Sequence, residues 1–115
     1  MDRSTFVGNL AFNEQGLIPV VVQQVDTREV LMLAWMNAET VTQTLTTGKA
    51  TYWSRSRDQV WVKGETSGQH QRVVALANDC DNDTLLLTVE QTGSACHTGS
   101  YTCFDDHVTH PEVSE

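Results

Sequence analysis

The hydrophobic pattern of the chain is a series of short apolar runs, many rich in β-branched residues and separated by polar turns. Residues 17–25 and 30–35 form the first two runs, and the polar tetrapeptide between them suits a hairpin connection. Later runs predict four further short strands, at residues 51–55, 59–63, 72–77 and 85–90. The pattern therefore predicts a mainly β domain.

One segment departs from this pattern and predicts a helix. Asn37 suits an N-cap and Gly48 suits a C-terminal stop, so a helix of about ten residues is expected between them. Its predicted buried stripe is formed by Ala38, Val41 and Leu45. Several threonines lower its helix propensity, so packing against the strands must stabilise it. The predicted fold class is thus mainly β (α+β), with one or two short helices.

Length and overall charge restrict the classes of protein to which the chain can belong. The sequence has 115 residues and a formal net charge of −8, which predicts one domain over residues 1–115 with a flexible tail at residues 105–115. The acidic balance excludes a sequence-independent nucleic-acid binder and a surface that binds anionic lipid. No apolar run approaches the roughly 20 residues of a membrane span. The first residues lack a signal-peptide pattern, which predicts a cytoplasmic protein.

Positive charge is concentrated in one window of the chain, residues 49–72. This window holds five of the seven basic residues and only two acidic ones, so its net charge is +3 whereas the rest of the chain is −11. It is either a solvated surface with a chance cluster or a local site for an anion. Glu65, an acid within the window, is a candidate acid or base, or a ligand of a ribose hydroxyl.

An aromatic, hydroxyl and basic cluster lies inside this window. On a strand, Ser54 and Ser56 would share one face, and Trp53, Arg55 and Arg57 would share the other. Arginine and serine side chains suit phosphate, and tryptophan suits a base. The same pattern is also typical of an amphipathic edge strand.

Three cysteines, Cys80, Cys96 and Cys103, form a candidate metal site. Their odd number in a chain without a signal-peptide pattern indicates reduced thiols. Their spacings do not form a zinc knuckle, but three thiolates leave a tetrahedral zinc one open position for water. His97, next to Cys96, is a candidate fourth ligand or general base. Three ordinary buried cysteines are the alternative interpretation.

The aspartates Asp79, Asp81 and Asp83 form a candidate site for a hard cation. In an extended segment their carboxylates point to one side and Cys80 points to the other. The segment therefore suits Mg²⁺ on its oxygen side and zinc on its sulfur side. A calcium loop of the helix–loop–helix type would need glycine where Thr84 stands. A solvated acidic turn between two strands is the remaining alternative.

Four motifs follow one another along the chain: WSRSR, KGETSG, DCDND and ACHTGSYTCF. Together with LMLAWMN at residues 31–37, they make residues 13–104 resemble the phosphoribosyl-AMP cyclohydrolase family of histidine biosynthesis. The resemblance implies hydrolysis of the N1–C6 bond of the adenine ring in 1-(5-phosphoribosyl)-AMP. It also implies a β pseudo-barrel that forms an intertwined homodimer.

The resemblance further implies one zinc ion and one Mg²⁺ ion per subunit. Zinc would be held by Cys80 of one subunit with Cys96 and Cys103 of the other, and His97 would transfer a proton or orient water. Mg²⁺ would be held by the aspartates, Asp79, Asp81 and Asp83. The phosphorylated nucleotide substrate would be bound by residues of the basic window and the last motif: Trp53, Ser54, Arg55, Arg57, Lys63, Glu65, Ser67 and Thr98.

Departures from the family pattern are few and leave every predicted metal ligand in place. Thr102 stands where the family usually has serine, which keeps a hydroxyl group. One alternative function is a noncatalytic, zinc-stabilised module that binds a nucleotide or a partner. A zinc-dependent nucleobase deaminase is disfavoured, because a His-x-Glu element followed by Pro-Cys-x-x-Cys does not occur in the sequence.

Overall fold

Strands make up most of the regular structure of the protein. The computed structural model describes residues 3–65, 68–96, 99–104 and 108–111. Its elements, in chain order, are α1 (Arg3–Gly8), β1 (Ile18–Gln24), β2 (Val30–Met36), α2 (Ala38–Thr47), β3 (Thr51–Ser54), β4 (Gln59–Val62), β5 (Gln71–Asn78) and β6 (Leu85–Gln91). The predicted mainly β (α+β) class is confirmed, and two short helices are present where one or two were predicted.

The largest unit is a four-stranded mixed sheet with the strand order β2-β1-β6-β5. Strand β1 pairs with β2 antiparallel and with β6 parallel, while β5 and β6 form an antiparallel hairpin. Pro19 has no backbone donor, and it lies near the start of β1 where pairing with β6 has not yet begun. Strands β3 and β4 form a separate antiparallel hairpin.

The core lies on one face of the four-stranded sheet. Alternate residues of the two central strands are buried, as the two-residue period of a strand requires. They include Ile18, Val20, Val22, Leu85, Leu87 and Val89. Burial of each such aliphatic side chain contributes about 1.5–3 kcal/mol. Val41 of α2 and Tyr52 of β3 belong to the same core, so the helix and the second hairpin pack on this face.

Helix α2 begins and ends where the sequence predicts. The Asn37 side chain accepts the N–H of Thr40 at 2.8 Å, and the Thr40 hydroxyl accepts the N–H of Asn37 at 2.9 Å. These two hydrogen bonds form a capping box. Gly48 ends the helix with φ +74°, a left-handed conformation that favours glycine.

The predicted buried stripe of α2 is wrong at one of its three positions, Ala38, whereas Leu45 packs against the core and Val41 belongs to it. Ala38 is exposed and Leu45 is half-buried, whereas Thr40 and Thr44 are buried. The Thr44 hydroxyl donates to the carbonyl of Thr51 at 3.1 Å and accepts its N–H at 3.0 Å. Because the buried hydroxyl is fully hydrogen-bonded, it links the helix to β3 with little desolvation penalty.

The opposite face of the four-stranded sheet carries exposed apolar side chains. The strand register aligns Leu33, Val21, Leu86 and Ala77 across the four strands, and we call these residues the apolar row. Leu33 is 51% exposed and Leu86 is 39% exposed. The apolar row therefore faces solvent in the single chain.

Residues 108–111 are the part of the predicted tail that the structure describes, and they form no helix or strand. In the described residues, no helix is long and apolar enough to cross a membrane.

Candidate active site

A cavity of about 760 Å³ opens between the β3–β4 hairpin and the loop that follows β6. It brings together six predicted site residues: Ser54, Arg57, Lys63, Glu65, Cys96 and Cys103. Three other predicted residues, His97, Ser67 and Thr98, lie outside the described residues. Segments that are far apart in the sequence therefore meet at one site.

Backbone hydrogen bonds fix the two cysteines of the cavity. We call the described residues 92–96 and 99–104 the cysteine loop. The N–H of Cys96 donates to the carbonyl of Ser100 at 3.1 Å. The N–H of Cys103 donates to the carbonyl of Leu31 at 2.7 Å, and the Thr102 hydroxyl donates to that of Val30 at 2.7 Å. One arm of the loop is thus anchored to β2.

A buried chain of glutamine side chains supports the same loop from the core. The Gln91 side chain donates to the carbonyls of Tyr101 at 2.8 Å and Gly93 at 3.3 Å, so it joins both arms of the loop. Gln71 donates to Gln91 at 3.0 Å and accepts a short hydrogen bond from the Tyr52 hydroxyl. Burial raises the pKa of Tyr52, which keeps its hydroxyl a donor.

These glutamines were not predicted as site residues, although the sequence contains a signal for them. Gln91 continues the alternation of Leu85, Leu87 and Val89, so it occupies a core-facing position of β6. A polar residue at a buried strand position needs partners. Its partners come from the cysteine loop and from β5, which the sequence pattern alone does not bring together.

The thiols of Cys96 and Cys103 line the same cavity and interact with each other. Partial desolvation and the Cys96 thiol raise the pKa of Cys103, and the charge of Lys63 partly offsets this increase. Without a metal the Cys103 thiol therefore favours its protonated form. Thiols bind zinc as thiolates, so metal binding at this pair would release protons.

Lys63 lies against the cysteine loop with little exposure to solvent. Its side chain is only 6% exposed, and its Nζ donates to the carbonyls of Ala95 at 3.2 Å and Ser94 at 3.4 Å. The Nζ atom also lies 5.6 Å from the centre of the Trp61 ring. Burial lowers the pKa of Lys63, and the charges of Cys103 and Cys96 oppose this decrease.

Arg57 and Ser54 line the cavity from the β3–β4 connection. Strand β3 ends at Ser54, and the N–H of Arg57 then donates to the Ser54 hydroxyl at 3.3 Å. The connection turns sharply at Asp58, where φ is +55°. The predicted alternation of faces over residues 53–57 is therefore wrong at Arg57, which lines the same cavity as Ser54.

Trp53 and Arg55 belong to a different surface of the same hairpin. They line a smaller cavity of about 320 Å³ with Asp58. The Arg55 guanidinium lies 4.5 Å from the centre of the Trp35 ring, a distance typical of a cation–π contact. Within one chain, the structure does not bring these two predicted substrate ligands to the cavity that contains the cysteines.

The three aspartates of the β5–β6 turn do gather into one cluster. Carboxylate oxygens of Asp79, Asp81 and Asp83 all lie within 4.8 Å of one another at the surface. Two amides hold the Asp79 carboxylate in place, those of Asp83 at 3.0 Å and Thr84 at 3.2 Å. Three converging carboxylates are suitable donors for a hard divalent cation.

The protonation of this turn reflects the crowding of its carboxylates. Desolvation acts to raise the pKa of Asp79, but the amides of Asp83 and Thr84 outweigh it and lower that pKa. For Asp81, the contact with Asp83, desolvation and the neighbouring negative charges all raise the pKa. The turn therefore carries electrostatic repulsion that a cation would relieve.

Cys80 lies on this exposed turn, at the opposite end of β6 from Cys96. A strand of seven residues spans about 23 Å. Among the described residues, the aspartates are the only group of three or more His, Cys, Asp or Glu side chains whose ligand atoms gather within 4.8 Å. One chain therefore offers two neighbouring thiols to a metal at the cavity, and the third lies elsewhere.

Known proteins match this chain over most of its length. The family model of phosphoribosyl-AMP cyclohydrolase matches residues 32–105. The phosphoribosyl-AMP cyclohydrolase of Micrococcus luteus is 63% identical over 98 residues, which cover 85% of this chain and 78% of that protein. The protein of the same name from Acidiphilium cryptum is 59% identical over 90% of both chains, and that from Thermobifida fusca is 67% identical over 78% of both. The chain belongs to the phosphoribosyl-AMP cyclohydrolase family.

Proposed function

We propose that this protein hydrolyses the N1–C6 bond of the adenine ring in 1-(5-phosphoribosyl)-AMP, a step of histidine biosynthesis. Membership of the family supports a hydrolase that acts on a cyclic amidine. The observation that carries the proposal is the cavity onto which Cys96, Cys103, Arg57 and Glu65 all open. Soft metal ligands and groups that suit phosphate and ribose are thus within reach of one small ligand.

Arg57 and Ser54 are the proposed ligands of a substrate phosphate. A guanidinium donates two parallel hydrogen bonds to phosphate oxygens, and a nearby hydroxyl adds a third. Arg57 lines the cavity. Its hydrogen bond to Ser54 is made by its backbone amide, so the guanidinium is available to bind a phosphate. Glu65, on the rim of the same cavity, is the proposed partner of a ribose hydroxyl.

The described residues include suitable ligands for both proposed metals. Zinc suits the neighbouring thiols of Cys96 and Cys103, and when bound it would supply Lewis-acid activation of water near neutral pH. Mg²⁺ suits the carboxylates of Asp79, Asp81 and Asp83. His97 is the proposed group for proton transfer, because it is adjacent to Cys96 in the sequence.

We propose a homodimer in which Cys80 of one subunit completes the zinc site of the other. Two observations support this arrangement. Cys80 lies at the far end of β6 from Cys96, so one chain cannot supply all three sulfurs to one ion. The exposed apolar row on the sheet, which includes Leu33 and Leu86, is a surface that a second copy would bury.

Turnover of phosphoribosyl-AMP tests the proposed reaction. We expect zinc-loaded wild type to open the adenine ring, and Cys96→Ser to lose both activity and stoichiometric zinc. Ser100→Ala, which keeps the thiols and changes a neighbour, is the matched control and should retain zinc. Equal turnover by wild type and Cys96→Ser would contradict the mechanism. Folding that depends on zinc, with no turnover in any form, would favour a noncatalytic zinc-stabilised module.

The proposed phosphate contact has its own test. Arg57→Ala removes a charge-assisted hydrogen bond of about 1.5–3 kcal/mol, so KM should rise by roughly tenfold or more. Zinc content should be unchanged. An unaltered KM would exclude Arg57 as a phosphate ligand.

A further inference from the structure

Lys63 differs from the other basic residues of its window, because its ammonium group is directed into the protein. It is 6% exposed, and it donates to the two consecutive carbonyls of Ser94 and Ala95, which immediately precede Cys96. An ammonium has three donors, so two of them are already used by the cysteine loop. Little of the group is left for a substrate phosphate.

Among the described residues, the buried charge of Lys63 has no carboxylate partner. The ion pair found among the described residues joins Arg72 and Glu90, and no carboxylate of those residues lies within 4.0 Å of the Lys63 Nζ atom. Backbone carbonyls satisfy hydrogen bonds but do not neutralise a charge. Since buried charges are normally paired, this arrangement calls for an anionic group beside Lys63.

The cysteine pair is the neighbouring group that can become anionic. Cys96 and Cys103 line the same cavity as Lys63, whose ammonium donates to the carbonyl of Ala95, the residue before Cys96. Three thiolates and one Zn²⁺ ion have a combined charge of −1, which one ammonium neutralises. We propose that Lys63 is a positioning residue that clamps the cysteine loop and balances the charge of the zinc–thiolate centre, and that it does not bind a substrate phosphate.

This inference rests on the proposed function, since it requires a zinc centre at the cysteines. The test compares Lys63→Met, which keeps an unbranched side chain of similar length without its charge, with Arg57→Met in the same cavity. Zinc affinity is measured by competition with a chelator, and KM is measured at saturating zinc. We expect Lys63→Met to weaken zinc binding about 10–100-fold with KM within about twofold of wild type. Arg57→Met should show the reverse, with normal zinc affinity and a raised KM.

Lys63→Arg, which retains the charge, and Lys63→Gln, which removes it, give a second comparison if Lys63→Met does not fold. Lys63→Arg should keep zinc affinity within a few fold of wild type, whereas Lys63→Gln should weaken it. Cobalt-loaded protein gives a second readout, because its thiolate charge-transfer absorption should be weaker in Lys63→Gln at the same metal concentration.

Two results would overturn the role of Lys63. One is wild-type zinc affinity in both Lys63→Met and Lys63→Gln. The other is a raised KM with unchanged zinc binding, which would make Lys63 a phosphate ligand. Either result in an active, zinc-binding wild type refutes this inference alone. A wild type that binds no zinc and does not turn over the substrate refutes the proposed function instead.

Discussion

The carboxylate of Asp81 is crowded by those of Asp79 and Asp83, all within 4.8 Å. Its pKa is raised, chiefly by the contact with Asp83. A raised pKa in the folded state means that the protonated form stabilises the fold below the ordinary pKa of aspartate. This contribution is lost as the pH rises through the raised value. At neutral pH without a cation, the ionised Asp81 therefore destabilises the turn.

Asp81→Asn should consequently raise the Tm at pH 7 in the absence of divalent cations. The gain over wild type should shrink as the pH falls into the range in which Asp81 is protonated. In the presence of Mg²⁺ the wild type should have the higher Tm, because binding of the ion stabilises it more than it stabilises the variant. Thermal unfolding across pH, with and without Mg²⁺, measures all three effects. Glu14→Gln, an exposed acid elsewhere, controls for net charge, and an equal gain in that variant would contradict a local cause.

Gly64 is a residue whose substitution should disturb the rim of the cavity. Its φ is +88°, and a Cβ atom there would lie 2.8 Å from the Gln69 carbonyl and 2.7 Å from the His70 ring. Gly64→Ala should therefore destabilise the fold by about 2–3 kcal/mol, through backbone strain and steric overlap together.

Gly68→Ala is the matched control for this substitution. Gly68 has a similar φ of +75°, but a Cβ there would meet no atom of the described residues within 4 Å. Strain alone should cost about 1–2 kcal/mol. Chemical denaturation measures the difference, and equal losses in the two variants would exclude the overlap with residues 69 and 70.

At the scale of elements, one hydroxyl anchors the cysteine loop to β2. Thr102 is 5% exposed and donates to Val30, and the adjacent Cys103 amide donates to Leu31. Thr102→Val keeps the shape but leaves the partly buried carbonyl of Val30 without this donor, which should cost about 0.5–1.5 kcal/mol. Zinc affinity should fall as well, because Thr102 anchors the part of the loop that carries Cys103, the next residue. Thr102→Ser restores the hydroxyl and should bind zinc nearly as wild type; equal loss in both would contradict the anchor.

The elements themselves could be predicted from the sequence because their signals are local. Each predicted strand is present with its ends within one or two residues, and the caps of α2 at Asn37 and Gly48 are confirmed. The buried face of α2 could be predicted only in part, since burial of Thr44 depends on hydrogen bonds to Thr51 in another element. Local pattern determines where an element forms, and tertiary partners determine which polar residues it can bury.

In the candidate site too, local motifs could be predicted from the sequence whereas tertiary contacts could not. The cysteine and aspartate motifs could be identified from residue type and spacing alone. The environment of Lys63 could not, because its partners Ser94 and Ala95 are 31 and 32 residues away in the sequence. The separation of Arg55 from Arg57 follows from the end of β3 at Ser54. Alternation along a strand predicts faces only as far as the strand extends.

At the scale of the whole molecule, the basic window does not form one anion-binding surface. Arg72 pairs with Glu90 at 2.9 Å, and Arg55 stacks on Trp35. Of the five basic residues, only Arg57 and Lys63 line the main cavity. Net charge over a stretch of sequence is therefore a poor guide here, because the fold distributes that charge among separate contacts.

The position of Cys80 leads to a prediction about assembly. If zinc is shared between subunits, Cys80→Ser and Cys96→Ser damage opposite halves of the site. In a mixed dimer, the Cys80 of the second variant meets the intact Cys96 and Cys103 of the first, so one of two sites is complete. Random association of equal amounts makes about half of the dimers mixed, and about a quarter of all sites should recover zinc and activity.

Co-expression of differently tagged variants, followed by zinc and turnover assays, measures this recovery. The matched control is the pair Cys96→Ser and Cys103→Ser, whose substitutions lie in the same half of the site, so every mixed dimer has two broken sites. Recovery in the first pair and none in the second is expected only if Cys80 acts across the interface. Absence of recovery in the first pair would mean that each chain forms its own metal site, contrary to the placement of Cys80 and Cys96 at opposite ends of β6.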